Sequence, residues 1–178
     1  MKNDNGNFEI AWGVGLDDSS DTRTYKISYT VYDAVKKYSD YAELYWQFIG
    51  SDFGVNASNI TGKIRLPSYV ETKEEIKVWG HTEDLNGEIY ATSLNTIEFN
   101  INQFRSGRFV EVRTLFPNYL ITSANRVSND SILEKAIEEE TNWANAANLR
   151  RQKNEKMKKN ATIFYIVVSF LACILLIL

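Results

Sequence analysis

The chain has 178 residues, a formal net charge of −3, 13% aromatic residues and a single cysteine. Residues 150–159 hold six cations and one anion, a net +5, which leaves −8 for residues 1–149 and argues against nucleic-acid binding. Cys173 has no partner for an intrachain disulfide, so thiol redox chemistry is excluded for the residues before it. Frequent Tyr, Phe, Thr, Ile and Val predict a mainly β domain of ordinary size.

Residues 1–122 are predicted to form a β-sandwich domain. In residues 24–35, Tyr25, Ile27, Tyr29 and Val31 alternate with polar residues, the period-two pattern of a half-solvated strand. Seven further short apolar segments, separated by turn-forming residues, predict strands at 8–14, 44–49, 59–66, 75–79, 88–92, 96–101 and 109–116. Their spacing predicts an Ig-like antiparallel β-sandwich, with a tight hairpin turn at Asn86-Gly87.

After residue 122 the apolar period changes from that of a strand to that of a helix. Ser131 and Glu134 have the spacing of a capping box. Apolar residues then fall mostly on one helical face: Ile132, Leu133, Ala136, Ile137 and Trp143. No Gly or Pro interrupts the following residues, so 123–160 are predicted to form a long helical stalk that is first amphipathic and then basic.

Residues 161–178 form an uncharged apolar run. As a helix rising about 1.5 Å per residue, the run covers roughly 27 Å, close to the hydrocarbon thickness of a bilayer. It predicts one transmembrane helix, with the lipid bilayer as partner. Residues 1–7 are polar and lack the apolar core of a signal peptide, so we expect a tail-anchored chain or a fragment.

Four aromatic residues that lie close together are candidates for a binding site. Rigid aromatic faces bind sugars or peptides at low entropic cost. Large aromatic residues also fill the space between two sheets, and we expect core packing to be the commoner outcome. The four residues are Tyr41, Tyr45, Trp46 and Phe48.

No nucleophile motif, metal cluster or phosphate loop stands out, so we predict no catalytic residue, metal site or cofactor. His81, the only histidine, follows Gly80 in a predicted turn, where we expect a solvated loop residue. Asp17, Asp18 and Asp21 lack the Gly and the terminal Glu of a calcium loop, which favours a solvated turn.

Two other acidic groups also have simple structural interpretations. Glu138, Glu139 and Glu140 lie early in the predicted helix, where acids complement the helix dipole without a partner. A second set flanks the aromatic segment, with no sign that its carboxylates converge as a hydrolytic pair. That set is Asp40, Glu43 and Asp52.

Several motifs resemble a known family. They are Tyr25-Lys26-Ile27-Ser28-Tyr29, Ala42-Glu43-Leu44-Tyr45-Trp46 with Gly50, Ile64-Arg65-Leu66-Pro67, Phe116-Pro117 and Glu138-Glu139-Glu140. Over roughly residues 8–150 the chain resembles the amino-terminal domain of the predicted membrane proteins grouped as domain of unknown function 2207. The resemblance implies a signal peptide, an extracytoplasmic β-sandwich and membrane helices with a long carboxy-terminal region. The family has no established enzymatic activity that could be carried over to this chain.

The charge pattern and the family resemblance predict opposite sides of the membrane for the sandwich. A segment rich in Lys and Arg beside a membrane helix normally stays cytoplasmic, whereas the resemblance implies that the sandwich lies outside. We expect a non-catalytic binding or assembly module of the bacterial cell envelope, single-pass in the cell membrane, with an envelope protein or polymer as a further partner. The alternatives are a cytosolic tail-anchored adaptor and, more distantly, a hydrolase of envelope polymers.

Overall fold

A computed structural model describes residues 2–4, 7–9, 24–83 and 86–177, with side chains described for 24–83 and 86–169. The chain divides into two compact units, Met1–Val31 and Tyr32–Leu178. In the first unit, β1 (Lys2–Asp4) and β2 (Asn7–Glu9) pair antiparallel. Beyond residue 9, the strand predicted at 8–14 lies outside the described residues, as do Asp17, Asp18 and Asp21.

The strand predicted at 24–35 is wrong. Residues 24–31 have no regular secondary structure, and their four alternating apolar side chains are 40% to 71% exposed. The regular strand begins only at Val35, after a turn in which Asp33 has φ 59°, a conformation that Asp tolerates better than most residues. Asn125 and Arg126 donate hydrogen bonds to Asp33 and hold this turn. Alternation alone does not make a strand, because a strand also needs a neighbour with which to pair.

The second unit contains two antiparallel sheets. The four-stranded sheet has the order β3 (Val35–Lys37), β4 (Tyr41–Ile49), β9 (Val110–Pro117), β6 (Lys77–His81). The three-stranded sheet has the order β5 (Ala57–Arg65), β8 (Thr96–Phe104), β7 (Gly87–Ser93). The prediction of a mainly β fold with two antiparallel sheets is confirmed, and the strands predicted from residue 44 to residue 116 all occur within a few residues of their predicted bounds.

The strand order differs from that of an immunoglobulin domain. In the immunoglobulin constant domain, the fifth strand pairs with the second and the seventh pairs with the sixth. Here β9, the seventh strand of the sandwich, lies between β4 and β6, while β7, the fifth, pairs with β8. The Ig-like prediction is therefore wrong in its connectivity, because strand spacing along the chain does not determine which strands pair.

The hairpin predicted at Asn86-Gly87 is also wrong. β6 and β7 belong to different sheets, so the segment between them is a crossover. Asn86 donates a side-chain hydrogen bond to the carbonyl of Gln103 at a distance of 2.5 Å. The tight connection in this region joins β7 to β8 instead, through Leu94 and Asn95.

The apolar core lies between the two sheets. Its buried residues come from both of them and from the connections at one end. One glycine is required for this packing: a Cβ on Gly62 of β5 would lie 2.0 Å from the ring of Phe99, its cross-strand partner. The core residues are Ala42, Ile64, Leu66, Val70, Ile76, Ile97, Phe99, Ile101, Phe104, Val110, Val112, Phe116 and Leu120.

The carboxy-terminal element α1 (Leu133–Ile177) is a single helix of 45 residues. Ala136 in its first turn and Ile132 just before it pack against Leu115 on the outer face of the four-stranded sheet. This second apolar contact explains why β9 is buried along most of its length, since the core covers one face and the helix the other. The helix predicted to begin near Ser131 is confirmed, although Ile137 and Trp143 of its predicted apolar face are 44% and 54% exposed.

Within the described part of the chain, no helix has a segment that is both long enough and apolar enough to cross a membrane. The side chains from residue 170 onward, half of the predicted span, lie outside the described residues. The transmembrane helix at 161–178 stays a prediction.

Candidate functional site: a buried ionic junction between sheet and helix

The outer face of the four-stranded sheet carries a group of ionisable side chains. Strand alternation directs Val110 and Val112 into the core, and therefore Glu111 and Arg113 onto the opposite face. The antiparallel register places Tyr45 on one side of Arg113 and Trp79 on the other. Glu111 has His81 as its cross-strand neighbour on β6.

Arg113 is the centre of this group, with a side chain only 6% exposed. Its Nε donates a hydrogen bond to Glu43 Oε1 at 2.8 Å. Its Nη1 donates to Glu139 Oε2 at 2.8 Å and to Glu140 Oε1 at 3.2 Å, both on α1. Burial by itself would lower the pKa of Arg113, but these three carboxylates outweigh burial and raise the pKa. One guanidinium therefore joins β4, β9 and the helix.

His81 forms the second connection between the sheet and the helix. Its Nε2 lies 2.7 Å from Glu140 Oε2, and its Nδ1 lies 3.3 Å from Glu111 Oε1. Burial alone would lower the pKa of His81, but the hydrogen bond and charge of Glu140, followed by those of Glu111, raise it. Because both acceptors are carboxylates, both ring nitrogens act as donors when the ring is protonated, and neither is left to accept a proton. The expectation of a solvated loop histidine was wrong.

Two aromatic rings enclose the imidazole. Trp143 of α1 lies with its ring centroid 4.7 Å from that of His81, and Tyr45 of β4 approaches edge-on at 5.9 Å. Burial and then a hydrogen bond to Glu111 raise the pKa of Tyr45, so the phenol remains protonated. Arg113 lies over the Tyr45 ring with 5.4 Å between Cζ and the ring centroid. The rings limit the access of water to the ion pairs and strengthen them.

The amino end of α1 is capped by a residue far away in sequence. Asp40, in the turn before β4, accepts hydrogen bonds from the hydroxyl of Ser131 at 2.5 Å and from the backbone N–H groups of Ile132 and Leu133. Burial opposes the ionised form of Asp40, but these bonds outweigh it and lower the pKa of Asp40 to about 2. The capping box predicted for Ser131 and Glu134 is absent from the described hydrogen bonds at this end, where a carboxylate from the sheet caps the helix instead.

The structure divides the four predicted binding residues between two faces of β4. Tyr41 packs beside Leu115 beneath the helix, and Tyr45 contacts His81 on the same outer face. Alternation along the strand places Trp46 on the opposite side. Phe48, in the irregular part of β4, contacts Phe99 of the other sheet with ring centroids 5.5 Å apart. The four rings do not line one groove, and their role in binding stays a prediction.

The acidic residues considered from the sequence have separate roles. Asp40 caps α1, Glu43 pairs with Arg113, and Asp52 lies in an exposed turn, so these three carboxylates do not converge. Glu139 and Glu140 accept hydrogen bonds from Arg113 of the sheet, in addition to complementing the helix dipole. In the described part of the chain, no group of three or more His, Cys, Asp or Glu residues is arranged to hold a metal ion.

A cavity of about 180 Å³ adjoins the junction, between the edge strands β6 and β7. Its inner wall is apolar and includes Val112 and Ile89, and His81 and Glu111 lie at its margin. Arg151 of α1 lines the same cavity as Thr82 and Gly87. The helix therefore follows the sheet to the end of the sandwich at which β6 finishes and β7 starts.

Comparison with known proteins identifies one family. No curated protein and no solved structure matches the chain. The model of the family described as predicted membrane protein (domain of unknown function 2207), N-terminal domain, matches residues 2–116, which is more than half of the chain. The matched segment ends in β9, before the helix that supplies Glu139 and Glu140 to the junction. The chain belongs to this family of predicted membrane proteins.

Proposed function

We propose that this chain is a membrane-held, non-catalytic binding or assembly module, whose sandwich is mounted in a fixed orientation on its helix. Family membership supports association with a membrane. The uncharged run 161–178 and the cationic segment before it support anchoring through the end of α1.

The ionic junction is the observation that carries this proposal. Arg113, Glu140 and His81 bond one another across the boundary between sheet and helix, and each is buried or half-buried. A satisfied buried network has few alternative arrangements, so it holds the helix at one position on the sheet. A module that must present its sandwich at a fixed angle to a membrane requires such a connection.

The same geometry favours binding over catalysis. A general base needs an unprotonated nitrogen within reach of a substrate. His81 directs both ring nitrogens at carboxylates and is covered by Trp143 and Tyr45. Glu140 is held as a carboxylate, because its bonds to His81 and Arg113 lower its pKa against the opposing effect of burial. These groups neutralise one another, as the parts of a structural junction do.

We propose further that the sandwich lies outside the cell, as the family plan implies, with an envelope protein or polymer as its partner. The cationic segment 150–159 favours the opposite side and supports the second candidate, a cytosolic tail-anchored adaptor. Both candidates share the anchor and the fixed sandwich. They differ in the compartment that the sandwich faces.

A labelling experiment distinguishes the two candidates. In the full gene context, with Cys173→Ser, the exposed Ser68, in the connection after β5, is changed to Cys and intact cells receive a membrane-impermeant thiol reagent. Labelling of intact cells is expected for an extracytoplasmic sandwich. Labelling only after lysis would establish the cytosolic adaptor. Release of the chain by alkaline carbonate, with no material left in the membrane pellet, would contradict the anchor itself.

A further inference from the structure

The direction of α1 identifies the end of the sandwich that faces the anchor. The helix begins beside Asp40, at the end of the sheet where β4 starts. It passes Arg113 and then His81, and it reaches the level of Thr82 and Gly87 at Arg151. The apolar run lies beyond that point, so the opposite end of the sandwich points away from it.

Three connections lie at the end that faces the anchor. Strand registers place the last residue of β4 opposite the first residue of β9, and the last residue of β6 level with both. Residues 50–56, 82–83 and 105–109 therefore share this end. We define residues 50–56 as the tip loop.

The tip loop is held in place and presents apolar side chains. Gly107, in the 105–109 turn with φ 75°, donates its N–H to the carbonyl of Phe53 at 3.0 Å. Ser106 donates its N–H to Asn56 Oδ1 at 2.8 Å. The Phe53 ring contacts Phe104 of the core edge, and yet Phe53 is 42% exposed and Val55 59% exposed. The apolar surface of the loop is thus fixed before any partner binds.

The helix sets the distance between this end and the apolar run. Arg151 and Ala161 are ten residues apart, about 15 Å along a helix. The polar headgroup layer fills roughly 5–8 Å of that distance. The tip loop has to span the remainder, roughly 7–10 Å, and a tilt of the helix by about 20° shortens it on one side of the sandwich.

From this geometry we propose that the tip loop is a second membrane contact, in which Phe53 and Val55 enter the interfacial layer of the bilayer. The inference rests on the proposed anchor. Apolar burial drives the contact, because the sequence of the three connections contains two arginines and three acidic residues and so carries no net positive charge. The cationic segment 150–159 binds the headgroups, and the tip loop sets the rotation of the sandwich about the helix.

The opposite end of the sandwich provides a matched control. Tyr69, in the connection after β5, is 67% exposed, so exposed aromatic surface is present at both ends. The direction of the helix places the tip loop, and not Tyr69, on the side of the anchor. If exposure alone caused membrane binding, Tyr69 and Val55 would behave alike.

Fluorescent reporters on the full chain in vesicles test the inference. With Cys173→Ser, single cysteines replace Val55, Tyr69 or Tyr165, each labelled with an environment-sensitive dye, in phosphatidylcholine vesicles with and without phosphatidylglycerol. Nitroxide placed high in the acyl chains should quench the dye at Val55 and at Tyr165 several-fold more than the dye at Tyr69. A reporter at Asp52, which leaves both apolar side chains of the loop in place, should respond as the one at Val55 does.

The outcomes separate the two proposals. Quenching at Tyr165, with the dyes at Val55 and Asp52 quenched no more than the one at Tyr69, would overturn the tip-loop contact and leave the anchor intact. Absence of quenching at Tyr165 would overturn the anchor, and the tip-loop contact with it. Quenching at Val55 only in vesicles with anionic lipid would contradict the apolar basis of the contact.

Discussion

Replacing Glu140 by glutamine should loosen the helix from the sheet. Glu140 accepts hydrogen bonds from both Arg113 and His81, and its side chain and that of Arg113 are each only 6% exposed. Removing one partner of a buried ion pair costs about 3–5 kcal/mol. Here Arg113 keeps Glu43 and Glu139, and glutamine keeps the size of the side chain, so we expect the free energy of unfolding to fall by about 2–3 kcal/mol.

Urea unfolding of the detergent-solubilised full chain, followed by tryptophan fluorescence, measures this loss. Trp143 reports on the junction because its ring lies against that of His81. The matched control is Glu138→Gln, an exposed position on the same helix, which should change the free energy of unfolding by less than about 0.5 kcal/mol. If Glu140→Gln and Glu138→Gln unfold at the same urea concentration, the junction does not hold the helix.

A double-mutant cycle then separates coupling from simple loss of packing. Arg113→Met by itself leaves Glu43 buried without a cation and Glu140 with only His81, and it should be the more damaging single change. Because the two sites touch, the combined variant Arg113→Met with Glu140→Gln should cost less than the sum of the two single changes. Strict additivity would show that Arg113 and Glu140 do not stabilise each other.

Three other predictions concern separate parts of the fold. Asp40→Ala removes the cap of α1 and should lower the free energy of unfolding by about 1–2 kcal/mol at neutral pH. This difference should disappear as pH falls towards 2, because the carboxylate of the native protein then becomes protonated. Urea titrations at several pH values measure both effects. Because the pKa of His81 is raised from 6.5, its stabilisation is complete below that pH and is lost as pH rises through the higher folded value. His81→Gln should therefore abolish this alkaline decline in the free energy of unfolding. Gly62→Ala should lower the melting temperature, because its methyl group would overlap the ring of Phe99; an unchanged thermal melt would show that the ring can move aside.

The sequence was a good guide to elements whose signal is local. Strands from residue 44 to residue 116 and the beginning of the helix were predicted within a few residues, because turn residues and apolar periodicity report on each segment separately. The exception, residues 24–31, has the clearest alternation and no regular structure. Alternation records which faces a strand would present, and the pairing that creates the strand is decided elsewhere in the chain.

The junction itself was beyond prediction from one sequence. Glu43 and Arg113 are 70 residues apart, and His81 and Glu140 are 59 apart. They meet only because β9 lies between β4 and β6, an order that strand spacing does not determine. One local signal was present: Glu111 and Arg113 alternate with Val110 and Val112 in a strand, which marks a charged row on one face. Glu139 and Glu140, the partners of Arg113 on the helix, show no comparable pattern in the sequence.

The cap on α1 limits the positions at which the chain can be truncated. Asp40 bonds residues that lie 91 to 93 positions later in the chain, and Arg113 depends on Glu139 and Glu140 for its charge balance. A fragment that stops at residue 122 would keep every strand and still leave an arginine on the sheet with only Glu43 to neutralise it. The smallest autonomous piece therefore extends at least to Trp143. The first three turns of the helix are part of the sandwich domain rather than of the stalk. A fusion of this domain to another anchor would therefore require a junction placed after these turns.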